Sequence, residues 1–424
     1  MFNLFMTSDV STTYEALLVL ALVLFFGIYA GRYFEKIKLP HITGYIISGV
    51  LLGLLLVGIH KGELVEHLAV ISSVALGFIA FGIGTELEFT KLKKSGKEVI
   101  IITILQALAA ALLVIFALLL FGVSLPIALV LGAVATATAP APIMLLTRKY
   151  KSRGALTDTL LPLVGMDDAV GIILFGVLLS IANSMTRGES LSFLEMIEGP
   201  ALELVFSALI GLVVGLLGAL IVRKIDSKDH QKEELFLAVS IVAVLVTVGM
   251  AKIGLHFGEL YVHLSPILTP MVMGIVFANS MSRVRSHDVN ETVESFTAPI
   301  LVAFFTLAGA ELVVAFFENT NVNYVSLAGI TVIYILARIA GKMGGSFVGA
   351  KLMNSHRNVK KYLGLCLLPQ AGVALGMAYQ AKSDFGESGI TILIVVLIAT
   401  LVYELFGPIG VKYSLDKSGE IRDY

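Results

Sequence analysis

Residues 160–182 read LLPLVGMDDAVGIILFGVLLSIA, and Asp167 and Asp168 are the only charges in that stretch. A helix needs about 20 mostly apolar residues to cross the hydrocarbon of a bilayer, so this stretch can span one. A charged side chain at the centre of such a helix costs about 2.5–3.5 kcal/mol on insertion scales. Packing alone does not account for two adjacent ones. An ionisable pair at that depth points to an ion or proton site.

Composition agrees with a membrane setting. The 424 residues are 57% hydrophobic and 14% charged, with a mean hydropathy of +0.93, against about 25% charged in soluble domains. A formal net charge of −1 offers nothing to a nucleic acid. The single cysteine, Cys366, lies in an apolar run and reads as a small packed hydrophobe. Neither a glycine-rich phosphate loop nor a metal-ligand cluster is visible, so no cofactor is expected beyond the transported species. No basic residue precedes the first apolar run, which therefore reads as a retained helix rather than a cleaved leader.

Working outward from Asp167 and Asp168, thirteen apolar runs can be marked: 14–31, 41–58, 67–86, 99–121, 126–147, 158–182, 201–222, 235–251, 260–281, 297–316, 325–350, 362–381 and 389–411. Lipid offers no partner to unpaired backbone groups, so runs this long and this uniformly apolar read as helices rather than barrel strands. Of the 30 basic residues, 24 follow odd-numbered runs and four follow even-numbered runs. That asymmetry places the N-terminus outside and the C-terminus in the cytoplasm, as expected for a multi-pass protein of the cell's inner membrane. The two that remain, Arg338 and Lys342, both fall inside the eleventh run.

A repeat is also present. Gly49-Val50-Leu51-Leu52-Gly53 in the second run matches Gly274-Ile275-Val276-Phe277-Ala278 in the ninth. Gly84-Thr85-Glu86-Leu87 in the third matches Gly309-Ala310-Glu311-Leu312 in the tenth, at the same offset of 225 residues. The displacement is seven runs, an odd number, so matching helices run in opposite directions. The expected fold is an all-α polytopic membrane protein of 13 transmembrane helices, a 6+1+6 inverted repeat of the kind secondary transporters use. The fifth run is interrupted at Thr136-Ala137-Thr138-Ala139-Pro140-Ala141-Pro142, and its counterpart, the twelfth, at Leu368-Pro369-Gln370-Ala371-Gly372. Proline removes a backbone donor and clashes with the preceding turn. Paired breaks in corresponding places free carbonyls and helix ends for ions. The breaks, the aspartates and Lys342 are accordingly expected around one point near mid-membrane.

Taken in order, the motifs resemble those of the bacterial monovalent cation:proton antiporters. Residues 39–53 (LPHITGYIISGVLLG) resemble the family's second helix, residues 81–88 (FGIGTELE) the end of its third, and residues 135–142 its broken fifth. Asp167-Asp168 resembles its double-aspartate motif, RIAGKMGG (338–345) its basic eleventh helix, and residues 369–375 and ELFGP (404–408) its last two. The likeness implies a dimerisation domain (1–98 and 235–316), a linker helix (201–222) and a core that moves relative to that domain (99–182 and 325–412), with two such chains forming a homodimer. It also implies that Asp168 is the principal carrier of cation and proton, that Asp167 pairs with a lysine of the eleventh helix, which Lys342 fits best, and that Thr138 lends an oxygen to the ion. Pro142 is an extra proline relative to the pattern. No nucleotide-binding regulatory domain follows the last run within this sequence, which points away from ligand-gated potassium efflux.

The chemistry follows from the residue types. Hard alkali cations take oxygen ligands, which Asp168, Asp167, Thr138 and the open backbone at Pro140, Pro142, Pro369 and Gln370 can supply. Competition of cation and proton for Asp168 gives obligatory exchange if the empty, charged core cannot cross, because an uncompensated carboxylate is costly to desolvate. Lys342 is the preferred partner of Asp167, since the guanidinium of Arg338, one turn away, stays protonated. Arg338 has a second reading as a residue that snorkels to an interface. Glu404 either neutralises Arg338 or lines the cytoplasmic funnel, and Thr136 either faces the ion or bonds back within its own helix. Sodium is the first guess for the cation. A potassium/proton antiporter and a sodium-coupled organic solute symporter on a similar scaffold are the alternatives.

Overall fold

The computed structural model describes residues 9–37, 40–58, 68–87, 89–186, 195–225, 232–257, 260–262, 264–318 and 324–421. Among them are fifteen helices: α1 (Asp9–Lys36), α2 (His41–Gly58), α3 (Ala69–Glu86), α4 (Phe89–Leu120), α5 (Leu125–Val134), α6 (Pro140–Lys149), α7 (Ala155–Thr186), α8 (Glu195–Lys224), α9 (Lys232–Ile253), α10 (Leu268–Ser280), α11 (Arg283–Glu318), α12 (Tyr324–Leu352), α13 (Arg357–Cys366), α14 (Gly372–Phe385) and α15 (Glu387–Lys417). Nine of these helices are long and apolar enough to cross a membrane, and three shorter apolar helices, Val70–Thr85, Leu125–Val134 and Leu268–Ser280, accompany them. The fold is an all-helical, polytopic membrane fold apart from one hairpin.

That hairpin departs from the sequence expectation. The ninth apolar run was expected to be helical from residue 260, but Leu260–Val262 (β2) instead pairs antiparallel with Leu255–Phe257 (β1). The cause is local. Gly254, at φ 74°, ends α9 in the left-handed region that glycine alone enters freely. Further on, the Leu268 N–H donates to Ser265 Oγ over 3.1 Å, so α10 starts only there.

By internal contacts the chain divides into two compact units. The first comprises residues 1–75 and 294–323. Its core joins Val19 and Val23 of α1, Leu52 and Leu56 of α2, and Ala303, Leu307 and Val314 of α11. Glycines set the closeness of approach. A Cβ on Gly49 would run into the Thr306 carbonyl oxygen, one on Gly309 into that of Ile46, and one on Gly53 would lie 2.7 Å from the Ala310 oxygen.

The second unit comprises residues 76–293 and 324–424. Here Gly84 of α3 meets the Met271 carbonyl and Gly274 of α10, while Gly274 in turn meets the Phe81 carbonyl. The 225-residue offset carries Gly49 onto Gly274 and Gly84 onto Gly309, so each glycine contact is the image of the other. Along the α4–α12 seam, Gly341 and Gly345 would place a Cβ 2.5 Å from Ala110 Cα and 2.6 Å from Gln106 Cα. Small residues let helices approach in this way, where no hydrophobic force separates lipid from protein.

The helix that carries the two aspartates, α7, is tied down at its start by the far end of the chain. The Leu156 and Thr157 N–H groups donate to the two carboxylate oxygens of Glu420 over 2.8 Å each, and the Thr157 hydroxyl donates as well. Gly154 makes room, since a Cβ there would lie 2.5 Å from the Glu420 carboxyl carbon. Two of the four donors that every helix leaves open at its N-terminus are thereby satisfied.

Candidate functional site

The fifth apolar run is two helices, α5 ending at Val134 and α6 starting at Pro140, and the twelfth is likewise two, α13 ending at Cys366 and α14 starting at Gly372. Pro140 and Pro142 both lie in the first turn of α6. The N–H groups of a first turn have no intrahelical acceptor, so the extra proline removes no helical hydrogen bond. The two breaks touch: the Ala139 N–H donates to the Pro369 carbonyl over 2.9 Å, and Thr138 Oγ1 donates to that of Leu367 over 3.4 Å.

Each break leaves carbonyls without helical partners, and α12 supplies the donors. Tyr334, Arg338 and Lys342 recur every four residues and so share one face. Arg338 spans both breaks: Nε donates to the Ala135 carbonyl (3.0 Å), Nη2 to Ala137 (2.6 Å) and Nη1 to Leu368 (2.8 Å). Its guanidinium also stacks 4.4 Å above the ring of Tyr403, whose hydroxyl donates to the Ile335 carbonyl over 2.8 Å. Gln370 Nε2 donates to the Val134 carbonyl and to the Tyr334 hydroxyl, 3.0 Å each.

Lys342 reaches the centre of this arrangement. Its Nζ donates to the Thr136 carbonyl, to Thr138 Oγ1 over 2.9 Å and to Asp167 Oδ2 over 2.9 Å. The Lys342–Asp167 ion pair is wholly buried. The second oxygen of Asp167 accepts from Gln106 Nε2 on α4. Asp168 is 3% exposed. On the same helix, three residues on, Gly171 approaches Thr136 so closely that a Cβ would sit 2.7 Å from its Oγ1.

The residues picked from sequence thus fall into distinct places. Asp167, Thr138 and Lys342 meet directly. Thr136 donates its hydroxyl to the Ala133 carbonyl over 2.6 Å and offers only its carbonyl to Lys342. Arg338 does not snorkel: it is fully buried and spent on backbone carbonyls of both breaks. Nor does Glu404 neutralise it or line a funnel. Glu404 is fully buried, and neither of its oxygens has a hydrogen-bond partner among the described residues. Gln106, Tyr334 and Tyr403 were not singled out. Gln106 had a signal, since it and Thr103 are the only polar side chains between 99 and 121.

Chemically, the ammonium of Lys342 is held by one carbonyl, one hydroxyl and one carboxylate. Those are the oxygen types that a desolvated monovalent cation takes. Arg338 cannot surrender a proton, so it holds the breaks together whatever the rest of the site titrates.

Comparison with known proteins agrees with this arrangement. Residues 20–408 match the family model described as sodium/hydrogen exchanger, transmembrane. The chain is 24% identical over 384 residues to the ammonium/H(+) antiporter subunit AmhT of Alkalihalophilus pseudofirmus, covering 89% of this chain and 90% of that protein. Its fold is similar to that of the sodium proton antiporter MjNhaP1 of Methanocaldococcus jannaschii at pH 8, with a TM-score of 0.71 and 19% identity over 96% of this chain and 99% of that one. An electron-microscopy structure of the same antiporter gives a TM-score of 0.64 and 18% identity over 99% and 100% of the two chains. The chain belongs to the sodium/hydrogen exchanger family, whose members are membrane transporters rather than enzymes.

Proposed function

We propose that this protein is a secondary antiporter that exchanges a monovalent cation for protons by alternating access, with cation and proton competing for Asp168. The observation that carries this reading is the seat of the Lys342 ammonium on the Thr136 carbonyl, the Thr138 hydroxyl and Asp167. Those oxygens lie beside Asp168 at the meeting of two helix breaks, and together they form a donor set fit for a hard cation. An entering cation displaces the ammonium and takes a negative charge at Asp168. Removal of both cation and proton leaves a carboxylate whose desolvation penalty bars the empty core from crossing.

On this reading, thirteen spans form a 6+1+6 inverted repeat with the N-terminus outside and the C-terminus in the cytoplasm of a plasma membrane. The chain acts as a homodimer in which the core helices move against a dimerisation domain. Sodium is the proposed substrate. Ammonium is a second reading, because the Thr136–Thr138–Asp167 cradle already holds a primary ammonium and the relative AmhT bears that ion's name.

The test uses everted vesicles with a respiration-generated pH gradient. Sodium, lithium, potassium or ammonium is added and dequenching of a pH-sensitive dye is followed. Collapse of the gradient by one of these ions is expected. Asp168→Asn is expected to abolish it, and a variant that still exchanges removes Asp168 from its assigned place. If none of the four ions collapses the gradient, antiport of monovalent cations is wrong.

A further inference from the structure

Gln106 lies on α4, fully buried, and nothing in the exchange described so far requires it. Its side-chain nitrogen makes two bonds, one to Asp167 Oδ1 and one to the Thr103 carbonyl over 3.0 Å. Its side-chain oxygen has no hydrogen-bond partner among the described residues. Chemistry sets this orientation. Turned over, the amide would present its oxygen to the Asp167 carboxylate, acceptor to acceptor. The amide therefore leaves its own acceptor unmet in order to donate to Asp167, an outcome that plain packing would not select.

The placement is rigid. Gly345, three residues beyond Lys342 on α12, packs against the backbone at Gln106 so tightly that a Cβ there would lie 2.6 Å from Gln106 Cα. Asp167 is thus gripped from two helices that are in backbone contact at that level: Lys342 holds Oδ2 from α12 and Gln106 holds Oδ1 from α4. The two grips differ in kind. Lys342 carries a charge that an incoming cation displaces. Gln106 is an amide, bears no charge and cannot titrate, so its hold is the same in every protonation and ion-binding state.

We propose that Gln106 is a positioning residue for transport: it keeps the Asp167 carboxylate aimed at the cation cradle while the Lys342 ammonium is displaced. The proposal rests on the exchange reading given above. Without Gln106, Asp167 rotates out of the cradle when the ammonium leaves, and the site loses affinity for the cation rather than the ability to turn over.

The experiment measures exchange in proteoliposomes over a range of sodium, and separately of ammonium, for the native protein, Gln106→Met, Gln106→Asn and Asp168→Asn. Methionine keeps the volume without the donor, and asparagine keeps the amide but is one methylene too short. Both glutamine variants should raise the KM for the transported ion about tenfold, the scale of one hydrogen bond to a charged group, with Vmax within twofold of native. Should the methionine variant not fold, the asparagine variant carries the test by itself. An unchanged KM, or a loss of Vmax alone in proportion to the folded protein recovered, overturns the proposal. If Asp168→Asn is inactive while Gln106→Met matches the native KM, only the role of Gln106 is wrong. Persistent exchange by Asp168→Asn removes the underlying reading, and this inference with it.

Discussion

The contact between α2 and α11 and the crossing of the two helix breaks are both places where backbone comes very close to another element, yet they are held by opposite means. At the first, Gly49 and Gly309 remove side chains so that bare helices touch, and no donor or acceptor is left over. At the second, backbone is unwound, carbonyls are left over, and Arg338, Lys342 and Gln370 are brought in to satisfy them. Shape alone secures a contact in which every backbone group is already bonded within its own helix. Where a helix opens, buried donors must complete it, because an unmet carbonyl in a lipid setting has no water to turn to. The same donors are then positioned to meet an ion.

The comparison can be broken at either end. The largest effect is expected from Gly49→Val or Gly84→Val. In both, the new Cβ meets backbone rather than a side chain that can swing away, so the cost exceeds the about 1–3 kcal/mol of ordinary overpacking. Folded, monodisperse protein should be lost on size-exclusion chromatography in detergent, and a native profile would show that the glycines are not required. Next is Arg338→Gln, which strips three bonds from a charged donor at about 1.5–3 kcal/mol each before relaxation. A large fall in thermal midpoint with loss of transport is expected. Arg338→Lys should recover little, since an ammonium cannot reproduce the planar fork that bridges both breaks.

Lys342→Ala sharpens the comparison inside the crossing itself, because it removes a charge that exchange uses while Arg338 remains to hold the breaks. The expected outcome is a protein that still folds and exchanges with one fewer proton per cation, read as a shifted reversal potential in liposomes. An unshifted potential would take Lys342 out of the coupling. The smallest effect belongs to Glu420→Ala. Loss of the carboxylate that caps α7 should cost about 1–2 kcal/mol, as for other N-cap deletions. Faster amide exchange should appear at Leu156 and Thr157, with the KM for cation unchanged. A changed KM would mean that the start of α7 reports directly to the aspartates.

Much of this was legible in the residues. Asp167 and Asp168 identify themselves by cost, being charges in a 23-residue span that is otherwise uncharged. The breaks are announced by Pro140, Pro142 and Pro369, and the repeat by paired glycines at one offset, whose contacts turn out to be images of one another. Less legible was anything that needed a direction. Thr136 and Thr138 are two residues apart and look alike, yet one hydroxyl turns back to the Ala133 carbonyl and the other faces Lys342. Arg338 and Lys342 lie on one helical face, and sequence alone could not divide their work. The structure does so, because one reaches the carbonyls of both breaks and the other reaches a carboxylate. Gln106 carried a polarity signal in an apolar run, but it had no charge to mark it as costly.

What the amino-acid order determined by itself is everything that follows from transfer into lipid and from backbone chemistry: which segments are helical and apolar, where prolines open them, and which ionisable groups lie at depth. Each of those is a property of one residue in its own segment. Only the tertiary structure decided who satisfies whom. It decided that Lys342 rather than Arg338 pairs with Asp167, that Glu404 has no such partner among the described residues, that Gln106 closes the far side of the ion pair, and that Glu420 caps α7 from 264 residues away. Hydrogen bonds are directional and short-ranged, so their pairing depends on how segments distant in the chain come to lie within about 3 Å of each other, a distance that no single segment encodes.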